Sequence, residues 1–200
     1  MKIGIIGTGH IGTAFAGHVT KAGYEVIISN RRGPDSLKEI VEQLGGNTRA
    51  GTIEEAAKSD VVFVSVPFDN LKDALAGLPD WEGRIVIDPT NAIVFPDFKP
   101  KDLGGKLSTE VFTDLVPGAR VVKAFNTLDA ALLAQSPDVA GGKRVIFISG
   151  NDHEANKTVK ELVKTIGFLP INLGTLDTGG RLQHFGGPLP SHNFVDLPKQ

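Results

Sequence analysis

Six residues near the start of the chain, Gly7 to Gly12, follow the pattern G-x-G-x-x-G. The pattern comes directly after a short apolar run and before a segment with helical spacing, which is the setting in which it binds the pyrophosphate of a dinucleotide. Gly7 would permit the tight turn, Gly9 the approach of phosphates to the backbone, and Gly12 close packing of helix on strand. The amides at the start of the helix would then hold the phosphates.

Two polar side chains, Thr8 and His10, lie within this turn. Either could hydrogen-bond a phosphate or face solvent, and the sequence leaves both roles open. His18 follows one to two turns into the predicted helix, where we expect an ordinary structural role on the helix flank.

A second apolar run ends in Ser29-Asn30-Arg31-Arg32, where NAD-binding chains carry an acidic residue for the ribose 2′-hydroxyl. An arginine instead binds a 2′-phosphate through charge-assisted hydrogen bonds of roughly 1.5–3 kcal/mol each, which corresponds to about a ten- to hundredfold preference. We therefore predict NADP(H) as cofactor, with Arg31 as the first contact and Arg32 as the second. The alternative is that both arginines are solvated in a loop.

Polar residues also follow three further apolar runs, within residues 65–70, 88–93 and 123–128. In an open α/β sheet the ligand lies outside the carboxyl ends of the strands, and amides and hydroxyls there suit a ribose and a nicotinamide. Pro67 and Pro89 could also be ordinary strand-ending residues, and for Lys123 we expect a structural role with its ammonium reaching outward. The best polar candidates are Thr90, Asn91, Asn126 and Thr127.

These residues need a scaffold that brings the ends of several strands together, and the pattern of apolar runs in the chain predicts one. Short β-rich runs alternate with helix-like segments, which indicates βαβ units, and runs such as "VVFVSV" lack polar alternation, as expected for strands covered on both faces. The first helix should span about Ile11 to Ala22. A later one should begin after Asn151 or Asp152, either of which can cap it, and end at Gly167. We predict an α/β Rossmann-type fold with a doubly wound, mostly parallel sheet. The predicted strands are Lys2–Ile6, Glu25–Ser29, Asp60–Val66, Arg84–Asp88, Arg120–Phe125, Arg144–Ser149 and Phe168–Leu173.

Composition narrows the function classes. The 200 residues include 21 basic and 23 acidic side chains spread along the chain, so we expect no nucleic-acid partner. The absence of cysteine excludes disulfides and thiolate sites, and we predict no metal site. No apolar run approaches the roughly 18 residues that span a bilayer, and the first strand leaves no room for a signal peptide. We expect a cytoplasmic protein with no membrane partner.

The last part of the chain differs in composition. After Gly174 the sequence is rich in glycine and proline, so we predict a dinucleotide-binding domain over residues 1–174 and a loop-rich tail over 175–200. The tail could pack on its own domain, cover the site or reach a second subunit. Its apolar residues Phe185, Leu189 and Phe194 favour a homodimer.

With these residues in view, the chain resembles the family of coenzyme F420-dependent NADP oxidoreductases, and more distantly the reductase domain of six-transmembrane metalloreductases. The resemblance spans nearly the whole chain and is carried by "IGIIGTGHIGTAFA", "SNRRG", "SDVVFVSVPFDN", "VVKAFNT" and "ISGNDHEA". It implies NADP along the strand ends with a flavin or deazaflavin ring stacked on the nicotinamide. The tail departs from the family pattern, because F420-using relatives have a helical segment there.

The resemblance also implies roles for individual residues. Thr8 through Ile11 would contact the pyrophosphate, Asn30 and Arg31 the 2′-phosphate, and Pro67, Phe68 and Asn126 the nicotinamide. The complete predicted cofactor site is Gly7, Thr8, Gly9, His10, Ile11, Gly12, Asn30, Arg31, Arg32, Val66, Pro67, Phe68, Thr90, Asn91 and Asn126.

We therefore predict an NADP(H)-dependent oxidoreductase that transfers hydride between the nicotinamide and a small-molecule acceptor, with F420, FMN or FAD as candidate co-substrates. Hydride transfer between stacked rings requires no catalytic side chain, so none is assigned. Two alternatives stay open: a noncatalytic NADP-binding redox sensor, and an NADPH-dependent reductase of a small carbonyl or imine. The second needs an acid, for which His184 and His192 are the candidates.

Overall fold

The computed structural model describes residues 1–198. Its helices and strands alternate along most of the chain, and two short 3-10 turns cover Pro34–Leu37 and Phe68–Asn70. The strands are β1 (Lys2–Ile6), β2 (Glu25–Ser29), β3 (Thr48–Ala50), β4 (Val61–Val64), β5 (Ile85–Asp88), β6 (Ile93–Val94), β7 (Lys99–Pro100), β8 (Arg120–Ala124), β9 (Asp138–Val139), β10 (Gly142–Gly150), β11 (Leu169–Asn172) and β12 (Val195–Asp196). The helices are α1 (His10–Lys21), α2 (Lys38–Leu44), α3 (Ile53–Ala57), α4 (Leu71–Leu75), α5 (Ser108–Asp114), α6 (Ala130–Leu133), α7 (His153–Thr165) and α8 (Gly179–Gln183).

The main sheet has the strand order β11-β10-β8-β5-β4-β1-β2-β3. Neighbouring strands from β3 to β8 are parallel, and β10 pairs with β8 in the antiparallel direction. The carboxyl ends of β1, β2, β4, β5 and β8 therefore meet at one edge of the sheet, here called the carboxyl edge. The predicted Rossmann-type, doubly wound and mostly parallel sheet is confirmed.

Side chains alternate between two cores on the two faces of the sheet. Val61 and Phe63 of β4 point into the core that includes α1 and α7, whereas Val62 and Val64 point into the core that includes α3, α4 and α5. The first core contains a stack of Phe15 on Phe63 with ring centroids 3.9 Å apart. Burial on both faces explains why these strands read as continuous apolar runs.

The tail packs on its own chain as far as it is described. Residues 179–183 form a short helix, which the glycine content of this segment did not predict. Gly179 and Gly180 let this helix lie close to the sheet. A Cβ on Gly179 would lie 2.6 Å from Cβ of Ser149. After α8 the chain returns to β10, with which β12 pairs. Residues 199 and 200 of the predicted tail lie outside the described part of the chain.

No helix within residues 1–198 has the length and apolar character needed to cross a membrane.

Candidate functional site

The glycine turn has the backbone that a dinucleotide-binding loop requires. Gly7 has a φ of +100°, and a Cβ there would lie 2.1 Å from the carbonyl oxygen of Ser65. A Cβ on Gly12 would lie 2.0 Å from the carbonyl oxygen of Gly7. Only glycine satisfies both the positive φ of the first position and the close approach at the second. The turn is thus held tightly between β1, α1 and the end of β4.

The start of α1 is open to an anion. Gly9 is its N-cap, no side chain caps the helix, and its first turn carries no acidic residue. A Cβ on Gly9 would meet nothing within 4 Å, so this position faces free space rather than protein. Uncapped amides and the positive end of the helix dipole are what a pyrophosphate needs. The turn therefore fits the phosphates of a dinucleotide.

The side chains of the turn lie around this opening. Thr8 is half-buried and its backbone carbonyl accepts a hydrogen bond from Oγ1 of Thr13. His10 is exposed as the first residue of α1, and Ile11 is half-buried. The contacts predicted for these three residues remain predictions. His18 has the expected structural role, since its Nε2 lies 2.6 Å from the carbonyl oxygen of Leu133.

Asn30 links the turn to the arginine loop. Its Nδ2 donates to Oγ1 of Thr8 over 3.3 Å, and its Oδ1 accepts from the backbone nitrogen of Arg32 over 2.8 Å. Oδ1 also accepts from Oγ of Ser36 over 3.1 Å. The loop after β2 is therefore fixed against the glycine turn through one amide side chain, at the position expected for the ribose.

The two arginines of this loop are exposed. Neither guanidinium forms an ion pair within residues 1–198. Two cations without an ion-pair partner among the described residues therefore lie in the same loop as Asn30 and Ser36. This loop is electrostatically suited to a phosphate monoester. Ser36 was missed from the sequence, because only the fold brings its hydroxyl back to Asn30.

Residues after β4 form the next part of the carboxyl edge. Val66 and Phe68 are half-buried, and Pro67 is exposed. Pro67 directly precedes the 3-10 turn Phe68–Asn70. An exposed proline between two partly exposed apolar side chains gives this strand end an apolar surface, which suits the predicted contact with an aromatic ring.

The ends of β5 and β8 are joined by an amide pair. Nδ2 of Asn91 donates to the backbone oxygen of Asn126 over 2.8 Å, and Nδ2 of Asn126 donates to Oδ1 of Asn91 over 3.0 Å. Phe125 has a φ of +67°, a costly conformation for a residue with a side chain. The structure places both predicted amides together, with Asn126 buried and Asn91 half-exposed.

Lys123 does not reach outward, and this expectation was wrong. Its side chain is fully buried and Nζ lies 2.9 Å from Oδ2 of the equally buried Asp88. Nζ also donates to the backbone oxygen of Thr90. An ammonium in this setting needs a counter-ion, which Asp88 supplies from the neighbouring strand. The predicted residue Thr90 belongs to the same cluster, since its Oγ1 donates to Oδ1 of Asp88 over 2.6 Å.

Gln183 of α8 connects the tail to this cluster. Its backbone oxygen accepts from Nδ2 of Asn126 over 2.7 Å, and its Oε1 accepts from Oγ of Ser149 over 2.6 Å. Nε2 of Gln183 lies within 3.3 Å of the backbone oxygen of Lys123. The fully buried Gln183 therefore fastens the tail beside the predicted nicotinamide position.

His184 follows Gln183 and is half-buried. Burial lowers the pKa of its imidazole, and the positive charge of Lys123 lowers it further. Both causes disfavour the imidazolium form. His192, the other candidate acid, has its Nδ1 3.0 Å from the carbonyl oxygen of Pro190 in its own loop.

A groove of about 980 Å³ borders the glycine turn at Thr8, Gly9 and His10 and then follows α1 towards Lys21. Its opposite wall includes α6 and residues 134–138. The groove touches the candidate site only at the turn, and the strand ends lie elsewhere.

Comparisons with known proteins agree with this geometry. Residues 2–92 match the family model described as "NADP oxidoreductase coenzyme F420-dependent". The chain is 32% identical over 177 residues to metalloreductase STEAP3 of Rattus norvegicus, which covers 88% of this chain and 34% of that protein. The chain thus spans about a third of the length of the curated metalloreductases it matches.

Two solved structures are similar over nearly the whole chain. A hypothetical protein from Sinorhizobium meliloti is 49% identical with a TM-score of 0.93, covering 98% of this chain and 96% of that one. A proposed F420-dependent NADP-reductase from Arthrobacter sp. FB24 is 26% identical with a TM-score of 0.73, covering 92% and 89%. Residues 2–92, which contain the glycine turn, therefore resemble the family of NADP oxidoreductases described as coenzyme F420-dependent, and the fold of nearly the whole chain matches that of the Arthrobacter structure.

Proposed function

We propose that this chain binds NADP(H) across the carboxyl edge and transfers hydride between its nicotinamide and a flavin or deazaflavin. The observation that supports this proposal most strongly is the loop of Arg31 and Arg32, which form no ion pair within residues 1–198. Asn30 links this loop to the glycine turn at the uncapped start of α1. Phosphate groups of NADP would then meet positive charge at two points, the helix amides and the guanidinium groups.

The chain's own residues would bind and orient the dinucleotide. Gly7, Gly9 and Gly12 shape the pyrophosphate turn, Asn30 and Ser36 hold the arginine loop, and the surface of Val66, Pro67 and Phe68 lies at the strand end where the nicotinamide is expected. When bound, the nicotinamide supplies the hydride chemistry. The apolar surface would exclude water from one ring face.

The comparisons support this choice of acceptor class by similarity. The family description and the Arthrobacter structure both carry the cofactor name F420, whereas the rat relative is named a metalloreductase. We therefore propose F420 as the first acceptor to examine, followed by FMN and FAD. The cytoplasmic location predicted from the sequence stays a prediction.

The proposed reaction is tested by mixing purified protein with NADPH and then with F420, FMN, FAD or riboflavin, while the NADPH absorbance band is recorded. We expect a decrease in that band with one of these acceptors and a slower decrease with NADH. Tight binding of NADPH without oxidation by any flavin or deazaflavin would contradict the proposed acceptor class while leaving the cofactor assignment intact.

A second candidate function is reduction of a small carbonyl or imine. It is favoured by the half-buried His184 next to Gln183, because reduction of such a substrate needs a proton as well as a hydride. A panel of small ketones, aldehydes and cyclic imines in the same assay separates this function from flavin reduction.

We also propose a homodimer, which the exposed apolar side chains of the tail support. Leu182, Phe194 and Leu197 are 40%, 37% and 57% exposed, whereas Phe185 and Leu189 are half-buried against their own chain. Light scattering at micromolar concentration should give twice the mass of the chain, and Leu197→Glu should shift the protein towards the monomer. A monomer for the wild type would contradict the proposal.

A further inference from the structure

His184 differs from His18, the other half-buried histidine of the described residues, because the fold does not use its ring. Its Nδ1 is buried and has no hydrogen-bond partner within residues 1–198. By contrast, Nε2 of His18 lies 2.6 Å from the carbonyl oxygen of Leu133. A buried nitrogen without a partner costs free energy, so a structural role for this imidazole leaves that cost unexplained.

The position of His184 is fixed by its neighbour. Gln183 accepts from Nδ2 of Asn126 over 2.7 Å, and Asn126 pairs with Asn91 at the ends of β8 and β5. Consecutive Cα atoms are about 3.8 Å apart. His184 is therefore one residue away from Gln183, whose backbone oxygen contacts the predicted nicotinamide residue Asn126. His184 is only half-buried, which leaves part of the residue open to a small molecule.

The charged and polar groups beside His184 are already paired. Lys123 of β8 is the cation that acts on the imidazole, and Asp88 of β5 is its counter-ion. Gln183 forms hydrogen bonds through both ends of its amide. His184 is therefore the titratable group of this cluster that is free to exchange a proton with a ligand.

We infer that His184 exchanges a proton with the acceptor during hydride transfer, which makes it a catalytic residue for acceptors that take up hydride and a proton on a conjugated heteroatom. NADPH loses a hydride and becomes NADP⁺. The acceptor gains that hydride, and its carbonyl oxygen, imine nitrogen or ring nitrogen gains a proton from the imidazolium of His184. The neutral imidazole then regains a proton from water. This inference rests on the proposed function.

The direction of the pH dependence follows from this role. Reduction of the acceptor uses the protonated imidazole, so its rate should fall as pH rises through the pKa of His184. The reverse reaction uses the neutral imidazole, so its rate should rise over the same range. Because burial and Lys123 lower this pKa, both changes should occur on the acidic side of the usual histidine range.

The first test uses nuclear magnetic resonance to follow the imidazole C–H signals of His184 during a pH titration. NADP⁺ carries a positive nicotinamide ring, whereas NADPH does not, so NADP⁺ should lower the pKa of a nearby imidazole more than NADPH does. His153, the first residue of α7 with a side chain 87% exposed, serves as the control signal. If the pKa of His184 is the same with NADP⁺ bound, with NADPH bound and without nucleotide, the inference is overturned. If neither nucleotide binds, the proposed function is overturned together with the inference.

The second test compares His184→Gln with His153→Gln in kinetics. We expect His184→Gln to lower kcat about a hundredfold, to remove the pH dependence above, and to leave the Kd for NADPH unchanged. His153→Gln should keep the wild-type kcat and pH profile. Wild-type kcat and pH profile in His184→Gln would overturn the inference while the proposed function stands.

Discussion

Nζ of Lys123 lies 2.9 Å from Oδ2 of Asp88, and both side chains are fully buried at the carboxyl ends of adjacent strands. The carboxylate uses its other oxygen to accept from the backbone nitrogen and Oγ1 of Thr90. One ion pair therefore determines where the chain leaves β5 and where the predicted nicotinamide contacts begin.

Removing one member of this pair should destabilise the protein strongly. Lys123→Met leaves Asp88 as a buried charge without its counter-ion, and Asp88→Asn does the converse to Lys123. Each should reduce the free energy of unfolding by about 3–5 kcal/mol, as measured by urea denaturation. The double variant should lose less than the sum of the two, and simple additivity would show that the pair does not act as a unit.

Substitutions at two glycines of the turn should affect different properties, the affinity for NADPH at Gly9 and the stability of the fold at Gly12. Gly9→Ala places its Cβ in free space at a φ of -74°, so it should cost at most about 1 kcal/mol of stability. The same methyl group would lie where the phosphates approach, and the affinity for NADPH should fall about tenfold or more. Unchanged affinity in a folded Gly9→Ala variant would place the pyrophosphate elsewhere.

Gly12→Ala is the contrasting variant. Its Cβ would lie 2.0 Å from the carbonyl oxygen of Gly7, so α1 must move away from the turn. We expect a loss of about 1–3 kcal/mol or more of stability, measured by thermal and urea unfolding. A variant as stable as the wild type would contradict the close packing of helix and turn.

Arg31 should set the preference for NADPH. Arg31→Ala removes one charge-assisted contact, worth roughly 1.5–3 kcal/mol, so the Kd for NADPH should rise about ten- to a hundredfold while the Kd for NADH changes little. Arg49→Ala is a matched control, since Arg49 is an exposed arginine paired with Glu55. Equal losses for both nucleotides would indicate that Arg31 acts on the loop and not on the 2′-phosphate.

Gln183 should hold the tail in place. Gln183→Leu keeps the volume of the side chain but removes the amide that accepts from Oγ of Ser149 and donates to Oδ1 of Asn126 over 3.2 Å. Losing both bonds should cost about 2 kcal/mol or more. The tail should then exchange its amide hydrogens and be cut by proteases faster than in the wild type. The exposed Gln43 supplies the control variant Gln43→Leu, and equal protection in both variants would contradict this role.

The sequence predicted those parts of the structure that local patterns encode. The glycine turn, the buried strands and α7 follow from residues that are close in the chain, so periodicity and turn chemistry suffice. The mostly parallel direction of the strands follows from the βαβ alternation. The arginine loop could be identified because it directly follows β2.

Features formed by residues far apart in sequence could not be predicted in the same way. Lys123 and Asp88 are 35 positions apart, and Gln183 is 57 positions from Asn126, so no local pattern records either contact. α8 contains two glycines that oppose helix formation, and tertiary packing against Ser149 and Thr109 overrides that preference. Lys123 lies inside one apolar strand, and Asp88 ends another that comes earlier in the chain. This combination is the signal that could have indicated the pair.

The central claim is that the loop after β2 recognises the 2′-phosphate of NADP(H), and isothermal titration calorimetry of the wild-type chain with NADPH and NADH tests it most directly. We predict that NADPH binds about ten- to a hundredfold more tightly than NADH, with a preference that weakens as salt concentration rises. Equal affinities, or a preference for NADH, would contradict the role of Arg31 and Arg32.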